Sequence, residues 1–577
     1  MDAQTTAQPS SPSADETGDV AARLPLRPAL LAPYRDLVAL RHDYPLVLVQ
    51  AEDAAAAVRP LTAIVDDILR TIAPRGAAGE RTRRHVLALE QEIRRRVAAG
   101  AGGHLVALWD AAAAALITAD PDRAEAVAAA RAALAIDGDV IGCDGEAPAR
   151  VVTHLWKQAE AHRLTALADR IATLRERLEA LLAGDAPTGA PLAEPRARRI
   201  RAVLDRLVPP ARLDALRSGD STALADLVTT DPAAAIAAWR RETAAIVDLA
   251  AALTIATLDC DGRYDESRHD AAFAAFSVAS LTPDDLALAP AVLLRLDDDG
   301  PARRGEVLDI LAAGLPIKIL VRSSDPLGDV GGDAAPGRAL PGTRLATMAA
   351  AIEDAFVLQA GVDALAHMAS RIARGLAYDG PALLAIQAGG AAAGLPPYLQ
   401  AAVVGQARLM PSFCYDPSAG PDFASRWSVA DHNPQPDADW WSQPFVYEQD
   451  GHRVVGAVAL TAADPLVCDP RLKAHVRLVP ASAWTDAMVP LDQWLAADAA
   501  DPARIPYVAV IDADDRLFRA VPSPAVIAAT SRCRDAWRSL QELGGLHNSW
   551  AEQRLAEARE TWEEERSQLL AAHKAAG

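Results

Sequence analysis

Three short apolar runs in the middle of the chain do most to limit its fold: AVLLRL at Ala291–Leu296, IKILV at Ile317–Val321 and PALLAI at Pro381–Ile386. Each has the length of a strand and is apolar at successive rather than alternate positions, a pattern a strand shows when both of its faces are covered. A helical segment, Gly305–Ala313, separates the first two, and a longer one, read as Met348–Gly375, precedes the third. Strand, helix and strand in this order predict βαβ units, because parallel neighbours need a crossover connection. The expected fold class is α/β, a doubly wound parallel sheet. Function in such sheets gathers at the carboxyl ends of the strands.

The flanks read differently. Tyr34–Gln50 suggests a short helix and then a strand, Pro45–Val49, docking as an arm on a larger sheet, while Ala63–Leu134 reads as all-α. Leu164, Leu167, Ile171, Leu174, Leu178 and Leu181 recur three and four residues apart, as one face of an amphipathic helix requires. Core packing and an inter-subunit seam both fit that face. Gly184 ends the helix, DAPTGAPLAEP (Asp185–Pro195) reads as a linker, and helices resume to about Thr257. Beyond Trp440 a strand at Val454–Leu460 and the run YVAVIDADDRLFRAV, with a hairpin turn at Asp512–Asp515, describe a small α+β module. Trp440 and Trp441 read as a packed cover or an interface anchor. Ser549–Lys574 is a charged helix with Leu555, Trp562 and Leu569 seven residues apart, packed on its own protein or on a partner. The expected organisation is a disordered tail (1–25), a helical region (26–137), the α/β domain (138–435) with a helical insertion (157–257), the α+β module (436–548) and the terminal helix (549–577).

Charge and cysteine usage remove several functional classes. A formal net charge of −20 argues against binding to nucleic-acid phosphates or an anionic membrane. No uninterrupted apolar run reaches the twenty or so residues that span a bilayer, and the polar N-terminus lacks an apolar core, so a cytoplasmic location is expected. The five cysteines are scattered singly, which leaves no C-x-x-C pair for zinc, a redox dithiol or an iron–sulfur cluster. The twelve histidines form no H-E-x-x-H or short cluster, and neither G-x-S-x-G nor a Walker-type loop occurs.

Asp309–Asp333, DILAAGLPIKILVRSSDPLGDVGGD, resembles without a gap the thiamine-diphosphate segment of pyruvate:ferredoxin oxidoreductases. In that family a helix end and a buried strand lead into an Asn-Thr-Gly-Gly loop, here Asp329-Val330-Gly331-Gly332. IGCDGEAPARVVTHLW (Ile141–Trp156) is similar to the family's GCGETPYxKLxTQLF, YDGPALLAI (Tyr378–Ile386) to its YxGPSLIIAY, and AAVVGQARLMPSFCYDP (Ala401–Pro417) to its AVxxGYWxLYRYDP. Four segments in family order cover about residues 138–420.

The resemblance implies a thiamine-diphosphate-binding fold and oxidative decarboxylation of a 2-oxoacid with partner subunits. It implies Asp299 and Asp329 as Mg²⁺ ligands, and Asp299, Gly300, Asp329, Gly331 and Gly332 around the diphosphate. The departures are specific. The family's Gly-Asp-Gly is matched by Asp298-Asp299-Gly300, shifted by about three residues, and the loop's Asn is Asp329. Asp can ligate Mg²⁺ but adds negative charge beside a diphosphate. A solvated acidic turn is the other reading of Asp297–Asp299. Where the family places cluster cysteines the chain has Val140 with Cys143, and Gln387-Ala388-Gly389-Gly390 without a cysteine, so no iron–sulfur cluster is expected. The glutamate that activates thiamine is not recognisable, so activity calls for other protein subunits or a homo-oligomer. The alternative function is a non-catalytic subunit or scaffold acting through protein–protein contacts.

Overall fold

A computed structural model describes residues 25–51, 53–183, 192–217, 222–297, 300–325, 341–390, 395–449, 452–497 and 503–576. The fold is mixed α/β and divides into two compact units, the larger built from Asp36–Asp325 and Arg344–Gly390, the smaller from the described residues of Met1–Arg35 and Ala391–Gly577.

Within the larger unit a parallel sheet runs in the order Val228–Thr229, Leu293–Leu296, Lys318–Ser323, Ala382–Gln387 and Phe356–Gly361. The last three strands are buried along their whole length, which accounts for their unbroken apolar sequences. Helix Pro301–Ala312 links the second strand to the third, and Leu365–Ala377 links Phe356–Gly361 to Ala382–Gln387. The single helix expected over Met348–Gly375 is instead the end of helix Pro341–Ala350, the strand Phe356–Gly361 and the helix Leu365–Ala377. Two features hide that strand. The turn before it contains Glu353 at φ 66, a conformation with no sequence signal in a glutamate, and the strand carries Gln359, fully buried, amid its apolar residues.

The leucine face belongs to one long helix, Ala147–Ala183. Leu167, Ile171, Leu174 and Leu178 pack on Ile200 and Val203 of Glu194–Arg206 and on Leu253 and Ala256 of Val247–Cys260, so the face lies in the chain's own core. Among the described residues Pro232–Cys260 is long and apolar enough by composition to cross a bilayer, but it holds no uninterrupted apolar run of that length, as expected. Its helices break at Ile246, Arg240, Arg241 and Glu242 interrupt it, and its apolar residues fill this core.

Ala63–Leu134, expected to be all-α, is helical apart from the two-residue strand Gly103–His104. Helices Leu61–Ile72, Ala77–Ala98, Leu105–Ala119 and Ala124–Ala133 share a core around Leu89, Ile93 and Trp109 with a small antiparallel sheet, ordered Val58–Pro60, Leu46–Leu48, Asp139–Ile141, Gly103–His104. Leu46–Leu48 therefore docks on this local sheet rather than on the larger one. Two- and three-residue strands carry too little periodicity to stand out among alanine-rich helices.

The smaller unit holds an antiparallel sheet of Arg27–Pro28, Ile505–Ile511, Leu517–Pro522 and Val476–Pro480, with Met488–Pro490 parallel to Ile505–Ile511, and a hairpin, Trp441–Gln449 with His452–Leu460. The turn after Ile511 forms as its aspartates suggest: Asp512 accepts from Asp514 N at 2.9 Å and Arg516 N at 3.0 Å. Trp440 is buried. Along Ser549–Ala576 the described side chains stay largely exposed, Leu555, Trp562 and Leu569 included, so this helix does not pack on its own chain as one of the two expectations had it.

Candidate functional site

The parallel strands deliver charged and polar groups to the edge formed by their carboxyl ends. Leu293–Leu296 runs into Asp297, Lys318–Ser323 ends on Arg322 and Ser323, and Ala382–Gln387 ends on Gln387. Leu296 is level with Val321, so Asp297 follows level with Arg322. Gln387 pairs with Ser323, one residue beyond Arg322, and points to the opposite face of the sheet.

Arg322 organises this edge. Its Nε donates to Asp297 Oδ1 at 3.0 Å, Nη1 donates to the Gly145 carbonyl at 2.7 Å and lies 2.7 Å from Glu146 Oε1, and Nη2 also donates to Asp297. Burial alone would lower the guanidinium's pKa; the bonds to Asp297 and Glu146 more than offset that and hold it above its ordinary range. The partners differ from it in freedom: the Arg322 side chain is 10% exposed, Glu146 53% and Asp297 68%. The cation is fixed and its two carboxylates can swing into water. One hydrogen-bond cluster thus joins the Ile141–Trp156 segment to the strand of Asp309–Asp333, and Tyr378–Ile386 supplies the next strand over, so three of the four resembling segments adjoin.

Two further donors stand at this edge. Helix Pro301–Ala312 starts there with Gly300 as its N-cap, so the first-turn N–H groups that follow Pro301 lack helical partners. Gln387 is 1% exposed; its Oε1 accepts from Gly389 N at 3.1 Å, and its Nε2 has no partner among the described residues. A buried donor left unmade costs about 1–3 kcal/mol, which a ligand acceptor would relieve. Gly389 follows at φ 70, a conformation that favours glycine.

Of the residues expected at the site, only Gly300 is described, at that N-cap. Asp299, Asp329, Gly331 and Gly332 lie outside the described residues. Among the described residues no three or more His, Cys, Asp or Glu side chains gather within metal-binding reach. Cys143 is half-buried; burial and the nearby Asp363 and Asp144 push its thiol far above the ordinary value, as for an inert thiol. Arg322 and Gln387 carry no sequence signal as a site, since 177 residues separate Gly145 from Arg322 and a terminal Gln only looks like the end of an apolar run.

At the amino ends of the same strands a second cleft, about 700 Å³ counted to its open mouth, is lined by Lys318, Glu160, Arg163, Trp239, Tyr378 and Asp379. Lys318 is 2% exposed and donates through Nζ to the carbonyls of Tyr378 and Gly380, the latter at 2.8 Å. Burial pulls its pKa down to about 7. Two backbone carbonyls already hold this ammonium, so its immediate role is to fasten the Tyr378–Gly380 turn to the sheet.

No family model matches the chain, and no curated protein does.

Proposed function

We propose that the larger unit is a divergent doubly wound domain of the thiamine-diphosphate-binding type, and that its carboxyl edge takes the cofactor's diphosphate in a 2-oxoacid decarboxylation completed by partner subunits. The observation that carries this reading is Arg322, a fixed cation at the edge where three family-like segments adjoin. The donors fit a diphosphate: a guanidinium and a helix N-terminus at the carboxyl edge. An incoming anion would displace Asp297 or Glu146 from Arg322, at modest expense because both carboxylates are more than half exposed. Asp299 and Asp329 would hold Mg²⁺. Thiamine diphosphate, when bound, supplies the carbanion chemistry of decarboxylation. This chain's part is to hold the phosphates, while the activating acid and the electron acceptor come from other subunits. Calorimetry with thiamine diphosphate and Mg²⁺ tests the reading: micromolar binding lost in Asp329→Ala supports it, and no heat from a folded protein sinks it.

A second reading, a non-catalytic scaffold, is favoured by Ser549–Ala576. This helix of 28 residues leaves Trp550, Leu555, Trp562 and Leu569 more than half exposed, which suits a docking helix. Removing it should lower the assembled mass in sedimentation while leaving the fold intact.

A further inference from the structure

The smaller unit holds a cleft of about 710 Å³, counted to its open mouth, between the Trp441–Leu460 hairpin and the strands Ile505–Ile511 and Leu517–Pro522. One wall is a ladder of rings. Phe445 stacks on Tyr447 at 5.8 Å, and Tyr447 meets Trp484 edge-on at 6.1 Å. Trp484 is fixed by its Nε1 bond to the Val479 carbonyl at 3.0 Å.

Arg519 continues the ladder. Its guanidinium carbon lies 4.2 Å from the Trp484 ring centre and 4.3 Å from that of Tyr507, clamped between the two. Its backbone is held on both sides, opposite Ala509 and Val479. No hydrogen bond or ion pair from any described residue reaches its guanidinium. Arg27, Arg94, Arg199, Arg322 and Arg538, by contrast, all reach carboxylates. Ring clamping fixes the plane of the fork and leaves its N–H edge for a planar anion, and an apolar cleft with a few fixed polar groups is the usual form of a small-molecule site.

We propose that this cleft binds a small organic carboxylate with an apolar or aromatic body, its carboxylate on Arg519 and its body along Phe445, Tyr447 and Trp484. A carboxylate matches the planar fork in two parallel hydrogen bonds, and the ring wall takes apolar surface. Asp492 also lines the cleft, and burial holds its carboxyl above its ordinary value. It faces the ligand as an acceptor, so a body carrying an ammonium or hydroxyl gains a second anchor and a purely apolar acid does not.

The experiment is calorimetry on the full chain with 3-phenylpropanoate, L-phenylalanine and the neutral 3-phenylpropanamide. Both acids bind, phenylalanine more tightly than phenylpropanoate because its ammonium reaches Asp492, and the amide at least tenfold more weakly. Arg519→Met keeps an unbranched side chain between the rings and removes the charge, and the acids then bind no better than the amide. The variant loses the cation–π contacts to Trp484 and Tyr507, so it should melt a few degrees below the parent while remaining folded at the temperature of the titration. Gly456→Leu is the independent check. A Cβ at Gly456, which lines the cleft, meets nothing within 4 Å, so a side chain fits there and blocks entry. Equal binding of acid and amide, binding unchanged in Arg519→Met, or no binding at millimolar ligand overturns the proposal.

Discussion

Arg322 holds Asp297 through Nε at 3.0 Å with only 10% of its own side chain in solvent, while Asp297 keeps 68% of its side chain exposed. A buried cation held by exposed anions is poised to exchange partners. Asp297→Asn should therefore tighten pyrophosphate binding severalfold, because the competing charge is gone and the cation is kept. Arg322→Gln should abolish it. Calorimetry with pyrophosphate alone separates this anion contact from any dependence on Mg²⁺, and equal affinity in both variants would remove Arg322 from the site.

Lys318 makes the larger unit's stability depend on pH. Its pKa is about 7 when folded against 10.5 for the free side chain. Between those values the unfolded chain binds more protons, so stability rises with pH across that window, and the burial penalty is fully present below pH 7. The full span amounts to several kcal/mol, on the order of 5. Urea midpoints at pH 7 and pH 9.5 should show the rise in the parent and a flatter profile in Lys318→Met. Identical slopes would assign the effect elsewhere.

Glu90 and Arg94 form a buried pair one helical turn apart, 1% and 4% exposed, with Arg94 Nη2 2.9 Å from Glu90 Oε1. Arg41 also pairs with Glu90, its Nε 2.9 Å from Oε2, so the two removals differ. Glu90→Leu leaves the buried Arg94 without a carboxylate and should cost about 3–5 kcal/mol, whereas Arg94→Leu leaves Glu90 paired with Arg41 and should cost less, and the double variant should destabilise by less than their sum. Denaturant titration of the full cycle measures the coupling, and strict additivity would mean the charges do not interact.

Gly375 lies where helix Leu365–Ala377 crosses the strand Phe356–Gly361. A Cβ there would come within 2.5 Å of the Phe356 ring. Gly375→Ala should cost about 1–3 kcal/mol through overpacking, and adding Phe356→Leu should restore part of it. Failure of the second change to rescue would place the strain elsewhere.

What could be read from the sequence follows local periodicity. The runs at Leu293–Leu296, Lys318–Ser323 and Ala382–Gln387, the long leucine helix and the Asp512 turn were legible because each repeats a burial or turn pattern within a few residues. Phe356–Gly361 and the small sheet near Leu46–Leu48 were not, since Gln359 breaks the apolar run of the first and strands of two or three residues are too short to show a pattern. The candidate site was legible only at Gly300.

The sequence by itself determined that the middle of the chain is an α/β layer, because continuous apolar runs can be buried only between two covering faces. Tertiary structure alone decided which charges meet. Arg322 with Gly145 and Glu146, Lys318 with the Tyr378–Gly380 turn, and Arg519 between Trp484 and Tyr507 all depend on strand register and on how chain segments come together. A side chain's chemistry is local, but the partner that fixes its charge is chosen by packing across the fold.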